Sequence, residues 1–162
     1  MRLQRPFFNR PTLEVARDLL GKEMVFYGQR GIITETEAYI GKDDPACHAA
    51  RGKTLRNAPM FGAAGYSYVY FIYGMHHCLN FVTEAEGFPA AVLVRGVQGI
   101  TGPGRLCRAL GITREHNNLD LTTHGDFYVR DTGLKPKYEA TPRIGISQGK
   151  ELLWRFVIKR SA

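Results

Sequence analysis

Residues 58–83 carry no formal charge, a run longer than the roughly 20 apolar residues a membrane-spanning helix needs. Its interior rules that helix out. Pro59, Gly62, Gly65 and Gly74 interrupt it, and Tyr66, Tyr68 and Tyr70 alternate with other residues at period two, the spacing of a strand. The stretch therefore predicts buried β-strands, and the chain needs a fold that covers a sheet with this much aromatic surface.

The chain has 162 residues, within the range of one domain, and it is read as a single domain over 1–162. At this length a core sustains itself without a metal or disulfide staple. Hydrophobic residues at 44% and charged residues at 23% exclude disordered, collagenous and coiled-coil classes. Lys and Arg number 22 against 15 Asp and Glu, a net charge of +7, with a pI near 9.5. That excess favours a polyanionic partner, nucleic acid before an anionic membrane surface. Cys47, Cys78 and Cys107 are too few and too odd in number for a disulfide framework, which suits a reducing compartment. The arginine-containing N-terminus has no apolar h-region and reads as no secretory signal.

Helical spacing of Leu13, Ala16, Leu19 and Leu20 behind Pro11, with Gly21 as the stop, predicts a helix over 10–20. Strands are predicted over 23–27, 32–40, 66–72, 75–82, 90–97, 126–130, 143–146 and 154–158. A short helix opens at Gly102-Pro103-Gly104 and runs to Leu110. Most connections are too short for parallel crossovers, so the fold class is α+β: one mixed domain with a mostly antiparallel curved sheet flanked by short helices. The connection 41–65 has no clear periodicity, and loops of that length in compact domains are usually functional.

Strict alternation in 32–40 puts Ile33, Glu35, Glu37 and Tyr39 on one face. Two carboxylates beside an aromatic ring are either a solvated edge or a general base next to a stacking surface, and spacing alone does not choose between Glu35 and Glu37. The tyrosine-rich run is either packed core or a stacking face, and Tyr73 before Gly74 is expected at an exposed turn, where a ring can enter a base stack. Arg95 ends an apolar strand as an edge residue, a structural partner, or a cation that keeps Glu37 ionised. Asn80 either satisfies backbone groups or polices a pocket. Cys47-His48 and His76-His77-Cys78 offer possible metal ligands, but neighbours on a strand point to opposite faces and no C-x-x-C spacing occurs. No metal or cofactor is expected.

Thr34 to Tyr39 (TETEAY), Tyr68 to Met75 (YVYFIYGM), Val92 to Arg95 (VLVR) and Gly102 to Leu110 (GPGRLCRAL) stand in this order. With the helix RPTLEVARDLLGK before them and PRIGIS after them, they resemble the alkyladenine, or 3-methyladenine, DNA glycosylase family over nearly the whole chain. The resemblance implies a monofunctional base-excision-repair hydrolase. Such an enzyme flips alkylated or deaminated purines out of duplex DNA, hydrolyses the N-glycosidic bond and leaves an abasic site. It further implies Glu37 as the general base and Arg95 as its partner in holding water. Tyr39, His48, Tyr70 and Asn80 would form the base pocket, and Tyr73 with Met75 would intercalate. Arg51, Lys53 and Arg56, on the long loop, are the expected DNA-backbone contacts. Double-stranded DNA bearing a damaged purine is the expected partner, for a monomer in the cytoplasm of a bacterium, at the nucleoid, with no membrane.

Leu55 stands where the family pattern has proline, and only 96–100 separates Arg95 from the helix entry at Thr101-Gly102, which implies a reduced DNA-contact area. The competing reading is a non-catalytic nucleic-acid-binding module using the same basic and aromatic surface. Glu37 and Arg95 weigh against it, since a pure binder has no use for a carboxylate facing phosphate.

Overall fold

The computed structural model describes residues 1–41, 44–47 and 52–159. Its helices are α1 (Arg5–Phe8), α2 (Thr12–Asp18) and α3 (Pro103–Leu110). Its strands are β1 (Glu23–Phe26), β2 (Gln29–Ile40), β3 (Ser67–Ile72), β4 (His76–Val82), β5 (Ala90–Val97), β6 (Ile100–Thr101), β7 (Phe127–Arg130), β8 (Tyr138–Thr141) and β9 (Arg155–Ile158). They form one sheet in the order β3-β4-β5-β2-β1-β7, with β6 on β5 and β9 joining β8 to β2. Every pairing is antiparallel. The sheet curls into a half-barrel, as the α+β reading expected.

Period two divides the sheet's residues between two clusters. Ala38, Val69, Leu79, Phe81, Val92 and Val94 join Val15, Ala16 and Leu19 of the α2 region in the main core. Tyr68, Tyr70, Cys78, Ala91 and Leu93 face the other way into a second cluster. The helix predicted over 10–20 is shorter, Thr12–Asp18, because Pro11 forms its N-cap and offers no side-chain acceptor. Glu84 supplies one from outside: its carboxylate accepts from the Thr12 amide at 3.0 Å and from the Thr12 hydroxyl. Leu19 and Leu20 extend the apolar stripe beyond the helix into a turn that Gly21 completes at φ +88°.

The strand β2 departs from strict alternation. Ile33 pairs with Val97, Glu35 with Gly96 and Thr36 with Val94, so Thr34 is an extra residue on β2 and Arg95 an extra residue on β5. Each bulge reverses parity locally. Ile33 therefore belongs to the main core with Ala38 and does not share a face with Glu35 and Glu37. The strand expected over 143–146 is absent. Tyr138–Thr141 pairs with β9 instead, and 143–149 runs as an irregular segment with positive φ at Gly145 and Gly149. The connection within 41–65 contains a 3₁₀ turn, Ala58–Phe61. All three cysteines are buried thiols outside any disulfide, as small apolar groups would be.

Removing the carboxylate that caps α2 leaves its first amide, that of Thr12, without that acceptor. Glu84→Ala is expected to lower stability by about 1 to 2 kcal/mol, read from the urea midpoint at unchanged m-value.

Candidate active site

Four strands contribute to one face through their register. Glu37 of β2 lies opposite Leu93 of β5, Leu93 opposite Asn80 of β4, and Asn80 opposite Tyr68 of β3. Residues two positions along in either direction share that face, and Tyr39, Arg95, Cys78 and Tyr70 line the same cavity. Its volume is about 600 Å³, in the range of ligand pockets. Two further walls come from outside the sheet: Gly102 to Arg105 at the entry to α3, and the irregular segment from Ile144 to Gln148.

Glu37 has no exposed surface. The Tyr39 hydroxyl donates to its Oε1 at 2.7 Å, and the Ile144 amide donates to its Oε2 at 2.8 Å. Arg95 Nε lies 3.8 Å from Oε2. Burial pushes the carboxyl above its ordinary value, opposed by the amide, the Tyr39 hydroxyl and the charges of Arg95 and Arg143. Glu35 is also buried but serves differently. It accepts from Arg95 Nε at 3.2 Å and from Arg155 Nε, and Arg155 in turn donates to the Thr141 hydroxyl at 3.0 Å. Glu37 thus belongs to the cavity wall, and Glu35 joins Arg95 to Arg155 beside it. Neither carboxylate is the solvated edge residue that a bland reading of the strand allows.

Burial raises the hydroxyl of Tyr68 to about 12 and those of Tyr39 and Tyr70 well above the usual tyrosine range, so all three remain neutral donors. Asn80, nearly inaccessible, donates to the carbonyls of Tyr68 at 3.2 Å and Cys78 at 3.5 Å, so it satisfies backbone groups while lining the cavity. Tyr73, Gly74 and Met75 connect β3 to β4, with Ile72 paired to His76 and the Met75 amide donating to the Ile72 carbonyl at 3.1 Å. Tyr73 and Gly74 have φ of +56° and +64°, the left-handed pair of a type I′ turn. It leaves Tyr73 79% and Met75 68% exposed, with Tyr73 also at the cavity wall. Lys53 and Arg56 are exposed, but Arg56 is partly engaged, donating to the Phe71 carbonyl and lying over the Tyr70 ring at 5.6 Å. His48 and Arg51 lie outside the described residues.

Several contributors escaped the sequence reading. Arg143 and Asp44 form a buried ion pair behind Tyr39; the sequence places Arg143 only in an expected strand and carries no signal for Asp44. His76, weighed only as a metal ligand, packs its ring on α3 where a Cβ at Gly104 would lie 2.7 Å from Nδ1. The glycine of Gly-Pro-Gly was the available signal for that close approach. Among the described residues no group of three or more His, Cys, Asp or Glu is placed to hold a metal, and no helix is long and apolar enough to cross a membrane.

A comparison with known families matches the chain to "Methylpurine-DNA glycosylase (MPG)" over residues 6–102 and 98–162. The chain belongs to the methylpurine-DNA glycosylase family. Curated relatives carry the name "Putative 3-methyladenine DNA glycosylase". One from Wolbachia pipientis subsp. Culex pipiens is 61% identical over 161 residues, 95% of this chain and 88% of the relative. Others, from Sodalis glossinidius and Rickettsia felis, are 59% and 57% identical, covering 95% and 92% of those proteins. Membership makes the chain a DNA glycosylase, a hydrolase of N-glycosyl bonds. It agrees with the resemblance seen in the sequence motifs.

The Tyr39 hydrogen bond favours ionised Glu37, so its loss raises the carboxyl further. In a ¹³C-carboxyl NMR titration, Glu37 is expected to titrate above 4.5, and Tyr39→Phe to move that midpoint upward. A midpoint unmoved by the substitution would remove Tyr39 from the set that holds the carboxylate.

Proposed function

We propose that this methylpurine-DNA glycosylase flips an alkylated or deaminated purine out of duplex DNA into the cavity and hydrolyses its N-glycosidic bond, leaving an abasic site. The observation that carries this reading is a hydrogen-bonded, solvent-excluded carboxylate, Glu37, in the wall of an open cavity that also presents Tyr39, Tyr70 and Arg95. A non-catalytic binder has no need of such a group, since burying a carboxylate costs several kcal/mol.

In the reaction, Glu37 takes a proton from a water whose oxygen attacks the sugar anomeric carbon. The electrons of the C–N bond leave with the purine. Arg95 helps orient that water, and the Ile144 amide and Tyr39 hydroxyl fix the carboxylate. A purine alkylated at N3 or N7 departs as a neutral base from a cationic nucleotide, and the rings of Tyr39 and Tyr70 favour that cation. His48, from the long loop, completes the base pocket. Asn80 limits which exocyclic groups fit beside it. No lysine is among the described residues lining the cavity, which suits direct hydrolysis over Schiff-base chemistry. Tyr73, with Met75 beside it, fills the gap in the duplex, and Arg51, Lys53 and Arg56 approach the phosphates. Flipping costs a few kcal/mol and less at a damaged pair, so selection begins before bond cleavage.

Duplex oligonucleotides bearing 7-methylguanine, hypoxanthine or ethenoadenine, followed by alkaline cleavage, test the activity directly. Glu37→Gln is expected to slow single-turnover release by about 100- to 10,000-fold while lesion binding stays within a few-fold; release at the wild-type rate would transfer the base role elsewhere. The base works only when ionised, so release is full above the Glu37 pKa and falls as pH drops through it. The acid limb should therefore lie above pH 4.5. Tyr73 carries left-handed backbone strain, which asparagine tolerates at little cost. Tyr73→Asn is expected to raise stability by up to about 1 kcal/mol and to weaken duplex binding, an opposition visible in paired denaturation and titration curves.

A further inference from the structure

Arg143 is fully buried and makes contacts in four directions. Its Nη1 donates to Asp44 Oδ2 at 2.6 Å and its Nη2 to Asp44 Oδ1 at 2.9 Å, the bidentate geometry that makes an arginine–carboxylate pair strong. Nη1 also donates to the Ala38 carbonyl of β2 at 2.9 Å. The guanidinium lies 4.9 Å from the Tyr39 ring centre and 5.0 Å from that of Trp154. Gly149, at φ +74°, leaves the space, since a Cβ there would stand 2.8 Å from Nη2. Asp44 is anchored as firmly: it accepts from the amides of Ile40 and Ala46 at 3.1 Å each.

These contacts converge on Glu37. The residue after Arg143 is Ile144, whose amide holds Glu37 Oε2. The ring that Arg143 backs belongs to Tyr39, whose hydroxyl holds Oε1. Ala38, whose carbonyl Arg143 caps, lies between Glu37 and Tyr39 on β2. We propose that the buried Arg143–Asp44 pair is the positioning device of the base: it fixes both hydrogen-bond donors of Glu37 and, through the turn containing Pro45 and Ala46, the adjoining cavity wall. The pair touches no reacting atom, so both are positioning residues. The role assigned to Glu37 rests on the glycosylase reading; the arrangement around its carboxylate does not.

Among the described residues, the charged and titratable groups around Glu37 are Tyr39 on its own strand, Arg95 from β5, Cys78 from β4, and Arg143 with Asp44 behind it. Arg155 of β9 is committed to Glu35. A role in packing alone predicts loss of stability with Glu37 moved only by the charge removed: upward in Arg143→Met, downward in Asp44→Asn and not at all in Arg143→Lys. The positioning role predicts that Arg143→Lys, which keeps the charge but loses the planar fork, loosens the Tyr39 and Ile144 donors, so the Glu37 midpoint rises.

The experiment titrates ¹³C-carboxyl-labelled wild-type protein and the three variants by NMR, the Glu37 resonance being assigned by its absence in Glu37→Gln. Single-turnover base release and lesion-duplex binding are measured on the same samples. An upward displacement in Arg143→Lys, with release slowed by up to about 100-fold and binding little changed, supports the proposal, and this variant serves where Arg143→Met does not fold. An Arg143→Lys midpoint and release rate equal to those of wild type overturn the positioning role and leave the general-base reading intact. Absence of base release in wild type, with the Arg143→Lys midpoint still raised, overturns the general-base reading and leaves the positioning device.

Discussion

Two carboxylates two residues apart on one strand, both withdrawn from water, are the demand around which the rest of the site is arranged. Each buried carboxylate costs several kcal/mol unless paired and hydrogen-bonded, and a single neighbour cannot satisfy both. The bulge at Arg95 on β5 brings one guanidinium within reach of both, 3.2 Å from Glu35 and 3.8 Å from Glu37. Strand β9 lies against β2 at Glu35 to Glu37 and carries Arg155 to Glu35. The irregular segment after β8 then supplies the amide for Glu37. A regular edge strand at that place would direct its unpaired amides outward in the plane of the sheet, away from a carboxylate on the face.

The opposing bulges also let one strand serve two environments. Ile33 packs in the main core and Glu35 in the polar cluster, though strict alternation would put both on one face. The extra residue on β2 and the extra residue on β5 cancel in register, so the ladder continues undisturbed to Ile40 opposite Ala90. Local strain of another kind sits at the hairpin tip. Tyr73 holds a left-handed conformation that a glycine or asparagine would adopt at less cost, a cost that the proposed insertion of its ring into the duplex would offset.

The sequence made legible whatever depends on local period. The strands from 66 to 97, the turn at Tyr73-Gly74 and the helix after Gly102 follow from alternation, glycine placement and proline placement, and the structure has them with small boundary differences. The common face of Glu35, Glu37 and Tyr39 was legible too. Spacing did not choose between the two glutamates, because their difference depends on which one Arg155 reaches from more than a hundred residues away; only the motif resemblance singled out Glu37. The expected strand at 143–146 failed because its apolar alternation around Ile144 and Ile146 is that of a segment lining a cavity, and a cavity wall and a core face select the same side chains. Asp44 gave no signal, since a carboxylate in a loop ordinarily faces water and its partner lies at Arg143.

Charge compensation in the site has a direction. Arg143 is neutralised by Asp44, and Arg95 and Arg155 converge on Glu35. Glu37 receives neutral donors at close range and a cation only at 3.8 Å, so much of its negative field remains directed into the cavity. Hydrolysis at an anomeric carbon develops positive charge on the sugar, and a fixed anion in a water-poor wall stabilises such charge without reorganising during the reaction. In the mechanism proposed for Glu37 the same carboxylate would act twice, as proton acceptor for the water and as counter-charge for the sugar. Pairing it more closely with Arg95 would keep it ionised more securely but would cancel the field that the second task uses, so the longer contact to Glu37 and the shorter one to Glu35 are the arrangement that serves both.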